Sequence, residues 1–388
     1  MTEKLYYTDS FIKKFTAKVL SCRETKAGFE VILDRTAFFP EGGGQSADTG
    51  KIGGAQVADA HERNGEVIHY VNQALSEGEE YECEIDWLQR FRRMQNHSGE
   101  HIVSGLVNTK YGFNNVGFHM GRDAVTIDFD GDLSHSQLVE IEREANLAVA
   151  ADIGIKTGFP SEEKLKTLEY RSKLELTENV RIVEIEGVDI CACCAPHLRS
   201  TAQVGIVKIL SAERRRRGGE GVRVTMLCGL DAVDYLGRIH ESNAGISAML
   251  SVPREETDKG VERMLKENER LRQRVSELGR ELARLRAEGI APVDGNICIF
   301  DDVLEEPALR DIVNVAAEKC GGVAAVFSGS DETGYRYIIG SKNVNLRANS
   351  GLINTVLGGR GGGRPEMIQG SCTASAEKIK DFLSTFLV

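Results

Sequence analysis

Gln95–Gly105 reads QNHSGEHIVSG and sets His97 and His101 four residues apart, in a stretch whose helical periodicity runs from about Trp87 to Leu106. Residues four apart on a helix leave from the same face, so the two imidazoles can close on one ion. Alone, an HxxxH pair is a common accident of helices. A second cluster changes its meaning: Cys191–Thr201, CACCAPHLRST, crowds three of the nine cysteines next to His197. A cysteine and a histidine four apart in a tight, proline-containing segment supply two more ligands. Three histidines and one cysteine suit Zn2+ better than the hard, oxygen-preferring cations. Cys193 stands four before His197; on the residues alone, Cys191 and Cys194 stay open as rival sulfur ligands.

A chain of 388 residues has room for roughly two to three domains, each with its own core. Cys22, Cys83, Cys228, Cys298, Cys320 and Cys372 are scattered too widely for a disulfide framework. The opening MTEKLYYTDSF lacks a basic segment followed by an apolar one, and no run reaches the ~20 apolar residues of a membrane span. No membrane partner and a reducing, cytoplasmic setting are therefore expected. The net charge of −11 opposes binding to nucleic acid as a whole. Local charge runs the other way. Arg214, Arg215, Arg216 and Arg217 lead into Gly218-Gly219 with Arg223 beyond, and Arg90, Arg92 and Arg93 precede the histidines. Both patches flank the expected ligands and point to an anionic substrate.

The expected organisation is α+β in four parts. Residues 1–88 alternate apolar and polar positions in short runs such as FEVILDRTAFF and YECEIDW, which predicts a β-rich, barrel-like domain. Within it PEGGGQSADTGKIGG, Pro40–Gly54, marks a sharp turn or a close backbone approach, with no Walker lysine and no strand–GxGxxG–helix layout. Residues 89–238 form an α+β domain that holds the metal site: the histidine helix, the strand AVTIDFD, a helix over about 134–151, the strand VRIVEIEGVDI, and a hairpin of VGIVKIL with GVRVTMLCG. Residues 239–292 are a helical, coiled-coil segment. There Val261, Met264, Asn268, Leu271, Val275, Leu278, Leu282 and Leu285 keep an unbroken heptad seam, and a homodimer through 261–285 is expected, Asn268 setting register. Residues 293–388 alternate strands and helices as a small α/β unit ending in the glycine-rich LGGRGGGRPEMIQGS, where Arg360 and Arg364 offer guanidinium forks to phosphate.

Taken together, FFPEGGGQSADTG, NHSGEH, CACCAPH with RST, RRGGEGVRV and GGRGGGRPEMIQG resemble, in this order, the AlaX proteins, freestanding relatives of the editing domain of alanyl-tRNA synthetase. The long form of that family carries a C-terminal DHHA1-like domain, and this chain looks like it. The resemblance implies a zinc site of His97, His101, Cys193 and His197, choosing Cys193 among the cysteines. It implies hydrolysis of the ester of mischarged tRNA-Ala, carrying serine or glycine, without ATP and without charging. Gly42, Gly43, Gly44 and Gln45 would grip the acceptor end, Arg217, Arg223, Arg360 and Arg364 the tRNA phosphates, and Glu100 is the candidate general base. Two departures stand out: Cys194-Ala195-Pro196 where the synthetase motif has Gly-Gly-Thr, and Glu100 where it often has threonine. The alternatives are editing of seryl-tRNA-Thr and a non-catalytic, zinc-stabilised tRNA-binding accessory. A HExxH metalloprotease is disfavoured by Ser98 at the glutamate position.

Overall fold

The computed structural model describes residues 1–121, 123–172, 180–215 and 220–386, and these fall into two compact units, Met1–Ser242 and Asn243–Val388. The first unit opens with six antiparallel strands closed into a barrel. Their order is Lys14–Thr25, Gly28–Leu33, Glu66–Val71, Ala55–Arg63, Gly50–Ile52 and Glu80–Ile85, the last pairing back onto the first. Period-two alternation dictates it: in EYECEI, Cys83 and Ile85 are buried while Glu80, Glu82 and Glu84 face water. Ala17, Val19, Val31, Leu33, Ile52 and Val57 fill the interior from the other strands.

The barrel hands over to the helix Trp87–Tyr111, capped at its start by Asp86, which accepts from the Gln89 N–H at 3.1 Å, and stopped by Gly112 in the left-handed region. It runs past the predicted end at Leu106 because tertiary contacts continue on both sides. Met94, Ile102, Val103 and Val107 pack with Ile127, Val224 and Met226 of a four-stranded antiparallel sheet and with Leu138, Ile141 and Ala145 of the helix His135–Ala150. The sheet order is Val207–Arg214, Val222–Cys228, Val125–Phe129, Asn115–Met120. A separate three-stranded sheet, Ile155–Gly158, Ile182–Ile185 and Asp189–Ala192, leads into the cysteine cluster.

The arginines ahead of the histidines form no anion patch. Arg90 is 0 % exposed and spends its donors inside the protein: Nε meets Asp48 at 2.9 and 3.0 Å, Nη1 donates to Ser10 O at 3.0 Å and Nη2 to Ala37 O at 2.6 Å. Asp48 also accepts from Phe39 N at 2.7 Å. The pair therefore pins the loop 39–48 to the first turn of the histidine helix. Arg92 is taken by Asp231 and Asp234 at 2.5 and 2.7 Å, and Arg93 donates to Ala47 O. Their positions along the helix face folded chain, which spacing in the sequence could not reveal.

In the second unit the helix Thr257–Glu288 is continuous through the predicted seam. Met264, Leu271, Val275, Leu278 and Leu285 are exposed on it, while Ala283 packs with Leu304, Ala308 and Ile312. A five-stranded sheet follows, ordered Ile297–Phe300, Ala324–Ser330, Gly334–Gly340, Met367–Cys372, Gly359–Arg364, with the first pair parallel and the rest antiparallel. Helices Leu346–Leu357 and Ala376–Thr385 cover one face through Ile353, Leu357, Ile379 and Leu383. The helix Glu306–Glu318 covers part of the other at Val326 and Ile338. The glycine-rich GGRGGGR is an edge strand rather than a free loop, and a side chain at Gly361 would strike the Tyr337 hydroxyl. None of the nine cysteines is in a disulfide. No helix among the described residues is long and apolar enough to cross a membrane.

Replacing Arg90 by Met strands the Asp48 carboxylate in the interior, and urea unfolding is expected to register a loss of about 3–5 kcal/mol. The double change Arg90→Met with Asp48→Asn removes the stranded charge and is expected to recover part of that loss. A single-variant loss below about 1 kcal/mol would show that the pair does not hold the loop.

Candidate metal centre

Four predicted residues meet in one buried cluster. His97 and His101 project from one face of the helix, and Cys193 and His197 come from the turn after the strand Asp189–Ala192; their ligand atoms all lie within 4.8 Å of one another. The ring centroids of His197 stand 4.9 Å from His97 and 4.7 Å from His101. Cys193 Sγ is 3.5 Å from His97 Nε2 and 3.4 Å from His197 Nε2.

Each imidazole is held from behind by its other nitrogen. His101 Nδ1–H donates to Asp189 Oδ2 at 2.8 Å, His97 Nδ1–H to Gln45 Oε1 at 2.8 Å, and His197 Nδ1 meets Ser98 Oγ at 3.1 Å. With Nδ1 of His97 and His101 committed as donors, their Nε2 atoms face the Cys193 sulfur, where an ion could take the place of the protons shared between rings and sulfur. Burial alone would raise the Cys193 thiol, but the imidazoles of His97, His197 and His101 around it hold it well below the ordinary value, the direction that a metal-binding sulfur needs. Burial pushes His197 down to about 3, so it is the neutral ring that a metal needs. The four residues form a group that can hold a metal ion.

Close backbone packing makes the cluster possible. A side-chain carbon at Gly99 would overlap Cys228, and one at Gly105 would overlap the Val188 carbonyl and Asp189, so both glycines of HSGEHIVSG let neighbouring strands reach the helix. The GGGQ segment is a two-residue reversal: Gly42 and Gln45 exchange N–H···O bonds of 3.0 Å, and Gly43 and Gly44 between them have φ of 61° and 83°. Gly44 lies so close to the sheet that a Cβ there would be 2.6 Å from Phe118 O. That turn delivers Gln45, 1 % exposed, to His97. Gln45 thus stands behind a histidine, whereas a residue reaching out to grip substrate was expected.

The other predicted residues scatter. Glu100 borders the cluster: Oε1 accepts from Ser104 Oγ at 2.6 Å and from Asn115 Nδ2, and Oε2 lies 3.9 Å from His101 Nε2. Arg223 is far from bare, since it makes a fork of 2.7 and 2.8 Å to Asp128. Arg217 lies outside the described residues, and Arg360 and Arg364 are in the second unit, on the edge strand. Sequence reasoning missed Asp189, Ser98 and Arg171. Arg171 grips Asp189 at 2.7 and 2.9 Å and so fixes the carboxylate that fixes His101. Ser98 carries a signal in hindsight, standing beside a ligand; Arg171 carries none, because its partner is far along the chain.

Asp189→Asn keeps the volume but leaves His101 Nδ1 facing a weaker acceptor, and metal affinity, measured by competition with a chromogenic chelator, is expected to fall roughly 10–100-fold. Arg171→Ala is expected to move it the same way by less. Unchanged affinity in both variants would show that neither residue orients the ligand.

Residues 180–223 match the family model of the threonyl and alanyl tRNA synthetase second additional domain, 2–89 that of tRNA synthetases class II (A), and 294–387 that of the DHHA1 domain. The alanyl-tRNA editing protein AlaX-L of Pyrococcus horikoshii is 29 % identical over 98 % of this chain and 97 % of its own. The alanyl-tRNA editing protein Aarsd1 of Danio rerio is 25 % identical over 96 % of this chain and 94 % of its own. The alanine–tRNA ligase of Pyrococcus abyssi is 32 % identical over 95 % of this chain but only 42 % of the ligase. The chain is thus similar over nearly its whole length to the alanyl-tRNA editing protein AlaX-L, and its C-terminal part matches the DHHA1 domain.

Proposed function

We propose that this protein is a trans-editing deacylase, which hydrolyses the ester of mischarged tRNA-Ala, seryl-tRNA-Ala first and glycyl-tRNA-Ala second, at a zinc site of His97, His101, Cys193 and His197. The observation that carries it is the convergence of the Nε2 atoms of clamped imidazoles on one sulfur. A tetrahedral zinc with N ligands near 2.05 Å and S near 2.3 Å has N···S edges of roughly 3.5 Å, which the 3.4 and 3.5 Å separations here match. Full-length similarity to proteins named for alanyl-tRNA editing supports the substrate.

Zinc, when bound, supplies a Lewis acid or a fixed point for a substrate heteroatom. The chain's own residues do the remainder. Asp189, Gln45 and Ser98 hold the rings in one orientation. Glu100, its Oε1 fixed by Ser104 and Asn115, is the candidate base for the attacking water. Gly42, Gly43 and Gly44 offer backbone to the acceptor end beside the cluster, and a Cβ at Gly43 would be 3.6 Å from Cys194 Sγ. Arg217, Arg223, Arg360 and Arg364 are assigned to tRNA phosphates, Arg223 exchanging its Asp128 partner for one. The segments 1–88, 89–238, 239–292 and 293–388 act as barrel, editing domain, coiled coil and tRNA-binding domain in a cytoplasmic homodimer joined through 261–285.

The test follows ester loss from seryl-, glycyl- and alanyl-tRNA-Ala and from seryl-tRNA-Thr, with and without chelator. Deacylation of the two mischarged tRNA-Ala species that chelator abolishes is expected, with alanyl-tRNA spared. Hydrolysis of seryl-tRNA-Thr alone would transfer the reading to the threonine system; no hydrolysis by folded, zinc-loaded protein would make it an accessory. Glu100→Gln is expected to lose at least 100-fold in rate while retaining zinc. Leu271→Arg with Leu278→Arg is expected to sediment as a monomer, and an unchanged mass would remove the coiled-coil dimer.

A further inference from the structure

The sulfur of the cluster sits on a turn, and a single residue holds that turn from both ends. Cys193 follows the strand Asp189–Ala192, and its N–H donates to Arg181 O at 3.0 Å. The guanidinium of the same residue returns the bond, Nη1 donating to Cys193 O at 3.0 Å and to Ala195 O at 2.8 Å. Residue 181 therefore grips the peptide groups on either side of the Cys193 α-carbon, and Sγ is left with only its own side-chain torsion to settle. Ala195, 0 % exposed, packs against Tyr6 and Phe39 and closes the far end of the turn.

The grip matters because a second thiol is next in the chain. Cys193 Sγ belongs to the cluster, whereas Cys194 is exposed. A slip of the turn by one residue would carry the wrong sulfur inward, and two carbonyls held on one guanidinium, at 193 and 195, oppose it.

Arg181 is also unlike the other arginines near the centre. Arg90 and Arg171 lie against the carboxylates of Asp48 and Asp189. Arg181 is 5 % exposed, and among the described residues it has no carboxylate partner and its Nε has no hydrogen bond. Its guanidinium carbon stands 5.4 Å from the centroid of the Tyr7 ring, which meets Tyr6 and Phe159 edge-on at 4.6 and 5.4 Å. An aromatic wall and two carbonyls ease a buried cation without neutralising it. The neighbouring group able to carry negative charge is the sulfur of Cys193, the residue whose carbonyl the guanidinium holds. A cation near a metal-bound sulfur draws on its electrons, so the sulfur donates less and the metal stays a stronger Lewis acid.

We infer that Arg181 is a positioning residue of the metal centre, which locks the Cys193 turn so that Cys193 and not Cys194 faces the histidines, and which sets a positive charge near the sulfur. The inference rests on the metal reading of the cluster and is independent of the choice of tRNA. Arg181 lies outside every motif singled out in the sequence; only folding brings it to the cysteine turn.

The experiment uses the full chain loaded with Co2+, whose sulfur-to-metal charge-transfer band reports on the thiolate, together with zinc affinity by chelator competition and thermal melts. Arg181→Met keeps an apolar stem but removes donors and charge, and its zinc affinity is expected to fall roughly 10-fold. Its charge-transfer band is expected to move to lower energy, because a sulfur without the nearby cation holds its electrons less tightly. Arg181→Lys keeps the charge and can still donate, and is expected to recover most of both. A loss of stability alone would not move the band. A band at the wild-type position in Arg181→Met, whatever the melts and the affinity do, would overturn the inference. Should that variant fail to fold, Arg181→Gln, neutral but still a donor, takes its place with the same expected shift, and an unshifted band overturns the inference equally. A wild type that binds neither cobalt nor zinc would overturn the inference and the metal reading together. A shifted band in a protein that hydrolyses no aminoacyl-tRNA would uphold the inference and fail the deacylase.

Discussion

Three imidazoles are kept in the interior with their Nδ1 atoms engaged, and the rest of the first unit is arranged around that constraint. A buried histidine that has lost its solvent needs a partner on each nitrogen. Here Asp189, Gln45 and Ser98 take one side, which leaves Nε2 to face the Cys193 sulfur. Each partner is delivered by a different device. Ser98 comes from the helix itself, Gln45 from a left-handed glycine turn, and Asp189 from a strand admitted by the missing side chain at Gly105. The turn is in turn secured by the buried Arg90–Asp48 pair, so barrel, loop and helix share one polar network. The centre is thus built by second partners as much as by the four ligand atoms.

The economy of charge follows from the same packing. The protein is acidic overall, and among the described residues Arg90, Arg92, Arg93 and Arg223 are consumed by carboxylates or backbone carbonyls within the first unit. Clusters of arginine in a sequence therefore say little about an anionic ligand until their partners are known. Arg181 stands apart, buried against the Cys193 turn with two backbone carbonyls and, among the described residues, no carboxylate.

Much of the site was legible before the fold. The HxxxH helix, the CACCAPH turn and the GGGQ reversal are local patterns, because helical spacing and glycine's freedom in the left-handed region act within a few residues. The barrel strands and the seam helix are legible for the same reason, each being a short-period alternation of apolar and polar residues. The partners of Gln45, Arg90 and Arg223 were not legible, because His97, Asp48 and Asp128 sit 52, 42 and 95 positions away.

The sequence by itself determined the main element types and the four residues that cluster, since these rest on residue chemistry and on periodicities that do not need a partner. Only the tertiary structure decided which charges are spent inside the protein, which groups hold the histidines from behind, and that Arg181 holds the Cys193 turn. Those depend on strand register and on the close approach of segments distant in the chain, where a one-residue shift in pairing would turn every side chain of a strand to the opposite face.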